Sequence, residues 1–236
     1  MANGSLFVVA DGMGGHRGGE VAAGITSGHF TDIESVSSVD ELRDVVIAAN
    51  DLIRAKGASD PDLGGMGTTV VAMGVLPTSS PDDALKFAAA NVGDSRLYLF
   101  EGGELGQVSV DHSLVAELTK AGQITEEEAA RHPQRNVVTR ALGAEQEVKV
   151  DTWELPARLG QRYLLCSDGL VNEVADEVIG ETLSTIEDPV SAAKQLVDRA
   201  NESGGRDNIT VLILDIVEAA HVTSDDSQCD PAATTS

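Results

Sequence analysis

The chain has 236 residues, enough for one domain with a full apolar core. Its 39 acidic residues outnumber 16 basic ones, for a formal charge of −23; a field of that sign repels nucleic acid and anionic lipid and argues against both as partners. Aromatics make up only 3 % of the residues, so the core has to be built from Val, Leu, Ile and Ala. Cys166 lies inside an apolar run and Cys229 in a polar tail. They suggest no disulfide framework, and a reducing cytoplasm is the expected compartment. No apolar stretch is long enough to span a bilayer, and no signal peptide precedes Asp11.

In chain order, residues 6–10 read as a strand ending at Asp11, and 18–30 have helical composition. Residues 39–56 form the best helix by pattern, with Leu42, Val45, Val46, Ala49, Leu52 and Ile53 recurring at three and four, and with Asp40 and Glu41 at its positive end. Buried strands are expected at 68–75 and 85–92, with a Pro/Ser-rich loop, 77–83, between them. A strand at 95–100 turns through Glu101-Gly102-Gly103-Glu104 and returns at 107–110. Residues 113–121 read as a short helix. Thr125 to Glu128 form a capping box opening a helix that ends near His132-Pro133. Strands follow at 148–155 and 162–166, helices at 174–183 and 189–201, and a last strand at 208–217. The domain is thus placed at 1–217, and 218–236 reads as a disordered acidic tail. Strands and helices do not alternate regularly, which favours layered α+β over a doubly wound parallel sheet.

Three acidic motifs stand out: Ala10-Asp11-Gly12, Ser167-Asp168-Gly169 and Arg206-Asp207-Asn208. The first two end strongly apolar runs and the third precedes one, so each carboxylate is expected at a strand end beside a Gly-rich turn. Taken singly, Asp-Gly is a common turn. Taken together, and with Asp94 in Gly93-Asp94-Ser95-Arg96 between two strands, carboxylates at strand ends repel one another unless a cation joins them. Oxygen-only ligation favours Mg²⁺ or Mn²⁺. Two other readings are weaker. Asp111-His112-Ser113 offers an acid, a base and a hydroxyl, but reads more simply as a helix N-cap, since triads are assembled in space. Gly12 to Gly19 is glycine-rich but lacks the Lys-Ser/Thr ending of a phosphate-binding loop.

The motif Val9-Ala10-Asp11-Gly12-Met13-Gly14-Gly15-His16 resembles the first metal motif of bacterial metal-dependent Ser/Thr protein phosphatases, the protein phosphatase 2C or PPM family. Gly65-Met66-Gly67-Thr68-Thr69, Asn91 to Arg96, Asp111-His112-Ser113, Cys166 to Leu170 and Asp207 to Thr210 follow in that family's order, from about residue 6 to 217. Met66-Gly67-Thr68-Thr69 and His132-Pro133-Gln134-Arg135 are similar to the actinobacterial members. The resemblance implies a four-layer α-β-β-α sandwich of two antiparallel sheets flanked by helices. It implies hydrolysis of phosphoserine and phosphothreonine on proteins by a water activated between two Mn²⁺ or Mg²⁺ ions. Asp11 would bridge them, the Gly12 carbonyl would bind the second, and Asp168 and Asp207 would hold the first. Asp94 resembles the ligand of a third ion, and Asn136 falls where a flap residue can assist it. His16 is a possible proton donor, while Met13 occupies the place of a general-acid His and cannot donate. Residues 111–140 would form the flap, and the implied partners are phosphorylated proteins and Ser/Thr protein kinases.

The chain departs from the family at its start. The family's first strand carries an Arg that holds the substrate phosphate, and nothing matching it precedes Met1-Ala2-Asn3-Gly4. Arg17 and Arg96 do not match its position. A mis-called start or a truncated chain is the expected cause, with an unpaired edge at residues 6–10 or their neighbour and weak activity, or none, as consequences. The alternatives are a pseudophosphatase binding module, or a phosphohydrolase acting on small molecules.

Overall fold

A computed structural model describes residues 5–13, 16–80 and 84–217, the side chain of His16 excepted. The expected tail, Cys229 and part of the 77–83 loop lie outside the described residues. In chain order the elements are β1 (Leu6–Val9), β2 (Gly12–Met13), α1 (His16–Thr31), α2 (Val39–Ser59), a 3₁₀ turn (Pro61–Leu63), β3 (Gly67–Thr68), β4 (Val70–Val75), β5 (Lys86–Val92), β6 (Arg96–Glu101), β7 (Glu104–Gln107), α3 (Leu114–Lys120), α4 (Glu126–Ala130), β8 (Asp151–Pro156), β9 (Arg162–Cys166), α5 (Asp168–Val171), α6 (Asp176–Thr185), α7 (Pro189–Glu202) and β10 (Val211–Asp215).

Two four-stranded antiparallel sheets, ordered β1-β4-β5-β8 and β10-β9-β6-β7, carry the fold, with a small β2-β3 ribbon beside them. Alternation along each strand sends one face to a sheet–sheet core and the other to helices. Val71 and Met73 of β4 meet Leu97, Tyr163 and Leu165 of the second sheet. Val70 and Ala72 face α1 and α2 through Ala22, Phe30, Leu42 and Val46. Leu164 and Cys166 face α5 to α7 through Leu170, Ile179 and Leu196. This is the expected four-layer α-β-β-α sandwich, and burial on both faces explains why its strands read as unbroken apolar runs.

Register decides where the acidic motifs land. Val9 at the end of β1 pairs with Val71 near the start of β4, and Val70 pairs with Val92 at the end of β5. In the other sheet Cys166 at the end of β9 pairs with both Arg96 and Val211, the first residues of β6 and β10. All four motifs therefore emerge at one end of the sandwich. Among the described residues the strand that pairs with β1 is β4.

Several boundaries differ from expectation for local reasons. The strand expected at 68–75 breaks at Thr69, whose neighbours Gly67 and Thr68 pair with β2 in the separate ribbon. The return strand begins at Glu104 rather than Gln107, because Gly102 and Gly103 both adopt positive φ and close a two-residue turn. Leu52 is nearly half exposed, and the buried α2 position is its neighbour Asn50. The Asn50 side chain accepts from Gly143 N–H at 2.7 Å and donates to the carbonyls of Glu145 and Gln146 at 3.2 and 3.4 Å. Asn50→Ala strands these backbone groups, and a loss of about 2 kcal/mol is expected in urea unfolding; a change within error would show that the bonds carry no net stability.

Candidate metal centre

Asp11 is held by its backbone. Its carbonyl accepts from Thr69 N–H and from the Thr68 hydroxyl, both at 2.8 Å, and its N–H donates to Thr69 Oγ1 at 3.1 Å. Thr69 Oγ1 also lies 2.7 Å from Ser95 Oγ, which joins the Asp11 turn to the Asp94 turn. Across the sandwich, Ser167 plays the matching part. Its hydroxyl donates to Asn208 O and accepts from Thr210 N–H, both at 3.0 Å, fastening the Asp168 turn to the loop that carries Asp207. Arg206 grips Glu173 with two bonds of 2.7 and 2.9 Å and fixes that loop from its other side.

Asp168 does not sit in a flexible Gly turn. It is the first residue of α5, where its charge suits the helix terminus, and Asn172 donates to its carboxylate at 3.0 Å. Gly169 is buried in that helix, and a Cβ on it would stand 2.3 Å from Asn208 O. Glycine is required there because the Asp207 loop packs directly on the helix backbone.

These constraints gather the acidic motifs at one end of the sandwich, where Asp168, Asp207 and Asp94 all act electrostatically on Asp11. Burial, then Asp168, Asp207 and Asp94, push Asp11 up to about 7. Burial, then Asp168 and Asp111, push Asp94 up to about 7 against the pull of Arg96. Burial, and then Asp207, raise Asp168, while hydrogen bonding with Asp11 and with the Asn172 amide lowers it. Asp207 itself is exposed. Among the described residues no three acidic, His or Cys side chains close tightly around one point. The acidic motifs offer carboxylate and carbonyl oxygens, a donor set suited to hard cations such as Mg²⁺ and Mn²⁺.

A cavity of about 860 Å³ opens beside this cluster, lined by Asp94, Asp168 and Asn136, with Val115, Ala116 and Val171 as apolar wall. Asn136, on the segment between α4 and β8, thus lines the same cavity as Asp94. His16 opens α1, its side chain outside the described residues. The Asp111-His112-Ser113 run is not a triad. Arg96 holds Asp111 through both nitrogens at 2.7 to 3.1 Å, His112 bonds backbone and Asp151, and Ser113 caps α3. Cys166 is fully buried and its thiol is pushed up to about 12, consistent with an inert core residue.

The comparisons with known proteins decide the family. Residues 1–204 match the Protein phosphatase 2C family. The chain belongs to that family. This phosphatase 2C chain is 39 % identical over 221 residues to the serine/threonine phosphatase Stp of Listeria monocytogenes, covering 90 % of this chain and 85 % of that protein. It is 40 % identical over 221 residues to PstP of Mycobacterium tuberculosis, covering 92 % of this chain but 41 % of PstP. The likeness therefore spans actinobacterial and other relatives. A crystal structure of the M. tuberculosis PstP superposes with a TM-score of 0.84 at 39 % identity, covering 92 % of this chain and 91 % of that one. Another, of the PstP catalytic domain in complex with two manganese ions, gives 0.81 at 38 %, with coverages of 92 % and 90 %.

Thr69 and Ser167 were not singled out from sequence, although a hydroxyl residue flanks or faces each acidic motif. In chelator at pH 8, Asp11→Asn is expected to raise the unfolding midpoint, by about 2–4 °C for each kcal/mol of repulsion relieved. The folded-state value near 7 lies above the ordinary 3.8, so the wild-type penalty is complete above pH 7 and fades as pH falls towards 4. The gain should shrink over that window; a gain equal at pH 5 and pH 8 would contradict the crowding of charge at Asp11.

Proposed function

We propose that the protein hydrolyses phosphoserine and phosphothreonine monoesters on proteins, using Mn²⁺ or Mg²⁺. Asp11 would bridge two ions, with the Gly12 carbonyl on one and Asp168 and Asp207 on the other. Asp94, with Asn136 lining the same cavity, would serve a third. The observation that carries this reading is the strand register that brings the Asp11, Asp94, Asp168 and Asp207 motifs to one end of the sandwich, in a protein whose relatives are named serine/threonine phosphatases. Burying like charges together is costly, and divalent cations are the partners that offset it.

When bound, such ions make a water acidic enough to attack at neutral pH and offset charge on the phosphoryl oxygens. The chain's own residues supply the rest. Thr68 and Thr69 fix the Asp11 turn, and Ser167 fixes the Asp168 turn to the loop that carries Asp207. The apolar wall of Val115, Ala116 and Val171 borders the place where a phosphorylated side chain enters. Arg96 is committed to Asp111 and balances charge beside Asp94 rather than reaching for substrate. Water is the proposed proton donor to the leaving oxygen, with His16 as its rival. Phosphorylated proteins are the substrates, and Ser/Thr protein kinases are the enzymes whose products it would consume. The pseudophosphatase reading is not favoured, since the relatives are named as phosphatases and the acidic cluster is intact.

Purified protein with Mn²⁺ should release phosphate from a phosphothreonine peptide, and chelator should stop it. Asp168→Ala is expected to lower kcat/KM by more than about a hundredfold, since even groups behind metal ligands cost ten- to a hundredfold. An unchanged rate in that variant would overturn the assignment.

A further inference from the structure

We propose that His112 is a positioning residue for Asp94, its imidazole fastening the base of the 111–140 segment to the Gly93–Asp94 turn. The inference rests on the reading of Asp94 as a metal ligand. Gly93 and His112 clasp each other twice: His112 N–H donates to Gly93 O at 3.0 Å, and Gly93 N–H donates to His112 Nδ1 at 3.0 Å. Gly93 has φ +111°, and a Cβ there would lie 2.6 Å from the Thr69 side chain, so the turn that aims Asp94 is one that other residues cannot adopt. It depends on outside support for its shape.

His112 is also where the two ends of the 111–140 segment meet. Its carbonyl accepts from Thr139 N–H at 2.8 Å, and next to it Leu114 N–H donates to Val137 O at 2.8 Å. The ring is buried, and both of its nitrogens are used. Nδ1 accepts from Gly93, and Nε2 lies between Arg140 and Asp151, 3.3 Å from Asp151 Oδ2. Arg140 lies 2.7 Å from Nε2 and directs its hydrogen bonds to Asp151 Oδ1 at 2.9 Å and Lys149 O at 3.2 Å. A side chain that merely filled space would need neither nitrogen. The same segment supplies Ser113, Ala116 and Asn136 to the cavity that Asp94 faces. A shift of the segment is therefore carried through one imidazole into the Gly93 peptide and on to the Asp94 carboxylate.

Two isosteric variants separate the ring's two sides. In His112→Asn the amide oxygen can stand where Nδ1 stood and keep the Gly93 bond. In His112→Gln the longer amide reaches the Nε2 position and gives up Gly93. Mn²⁺ titration calorimetry on the full chain would compare wild type, H112N, H112Q, D94A and D94A/H112Q, with thermal unfolding in chelator alongside. H112Q is expected to weaken the Asp94-dependent binding about tenfold or more and H112N by no more than about threefold, the scale known for residues that orient ligands. In the D94A background H112Q should add nothing. Equal effects of H112N and H112Q, or a full H112Q loss persisting in D94A, would overturn the proposal. If D94A alone leaves Mn²⁺ binding unchanged, Asp94 is no ligand and the proposal falls with it, while phosphothreonine hydrolysis, measured separately, tests the broader function.

Discussion

Electrostatic repulsion among carboxylates at one end of the sandwich is the constraint around which this molecule is organised. Asp11 and Asp168 follow strands of different sheets, and strand register and sheet packing bring both motifs to the same end. Thr68 and Thr69 pin one turn, and Ser167 pins the other to the loop bearing Asp207. Packing adds to this, since Gly169 admits the Asn208 carbonyl against the α5 backbone. The stability supplied by three apolar layers offsets the unfavourable charge at one edge, a common relation between a functional site and the scaffold that holds it.

Charge balance around this cluster is graded. Asp94 is crowded by Asp168 and Asp111 but relieved by Arg96. Arg96 in turn is anchored by Asp111 and by the Tyr98 hydroxyl, which donates to Asp176 at the start of α6. A chain of polar groups thus runs from the cavity to the helical layer. Its cation is locked in place, so it tunes the nearby carboxylate without competing for an anionic ligand. His112, Arg140 and Asp151 form a second such group at the base of the 111–140 segment. Together they tie the cavity's mobile-looking wall, built from two short helices with no buried residues, to the rigid sheet ends.

Much of this was legible beforehand. Apolar runs gave the strands of both sheets, a three-four stripe gave α2, and Thr125 with Glu128 gave a capping box that the structure reproduces. The acidic motifs were readable because each interrupts or adjoins such a run. The errors were of one kind. Asp168-Gly169 looked like a turn but is a helix start, Thr69 looked like strand interior but breaks β3 from β4, and Leu52 looked like core but yields to Asn50. In each case the deciding partner is distant in sequence: Asn208 for Gly169, Asp11 for Thr69, the 143–146 loop for Asn50.

By itself, then, the sequence determined layer composition, the family, and which carboxylates were candidates, because periodicity and motif order are properties of neighbouring residues. Tertiary structure alone decided that those carboxylates share one end of the sandwich, that Arg96 is spent on Asp111, and that His112 fastens the 111–140 segment to the Gly93–Asp94 turn. Strand register and hydrogen bonds spanning tens of residues are set by packing of the whole chain, and no local pattern encodes them.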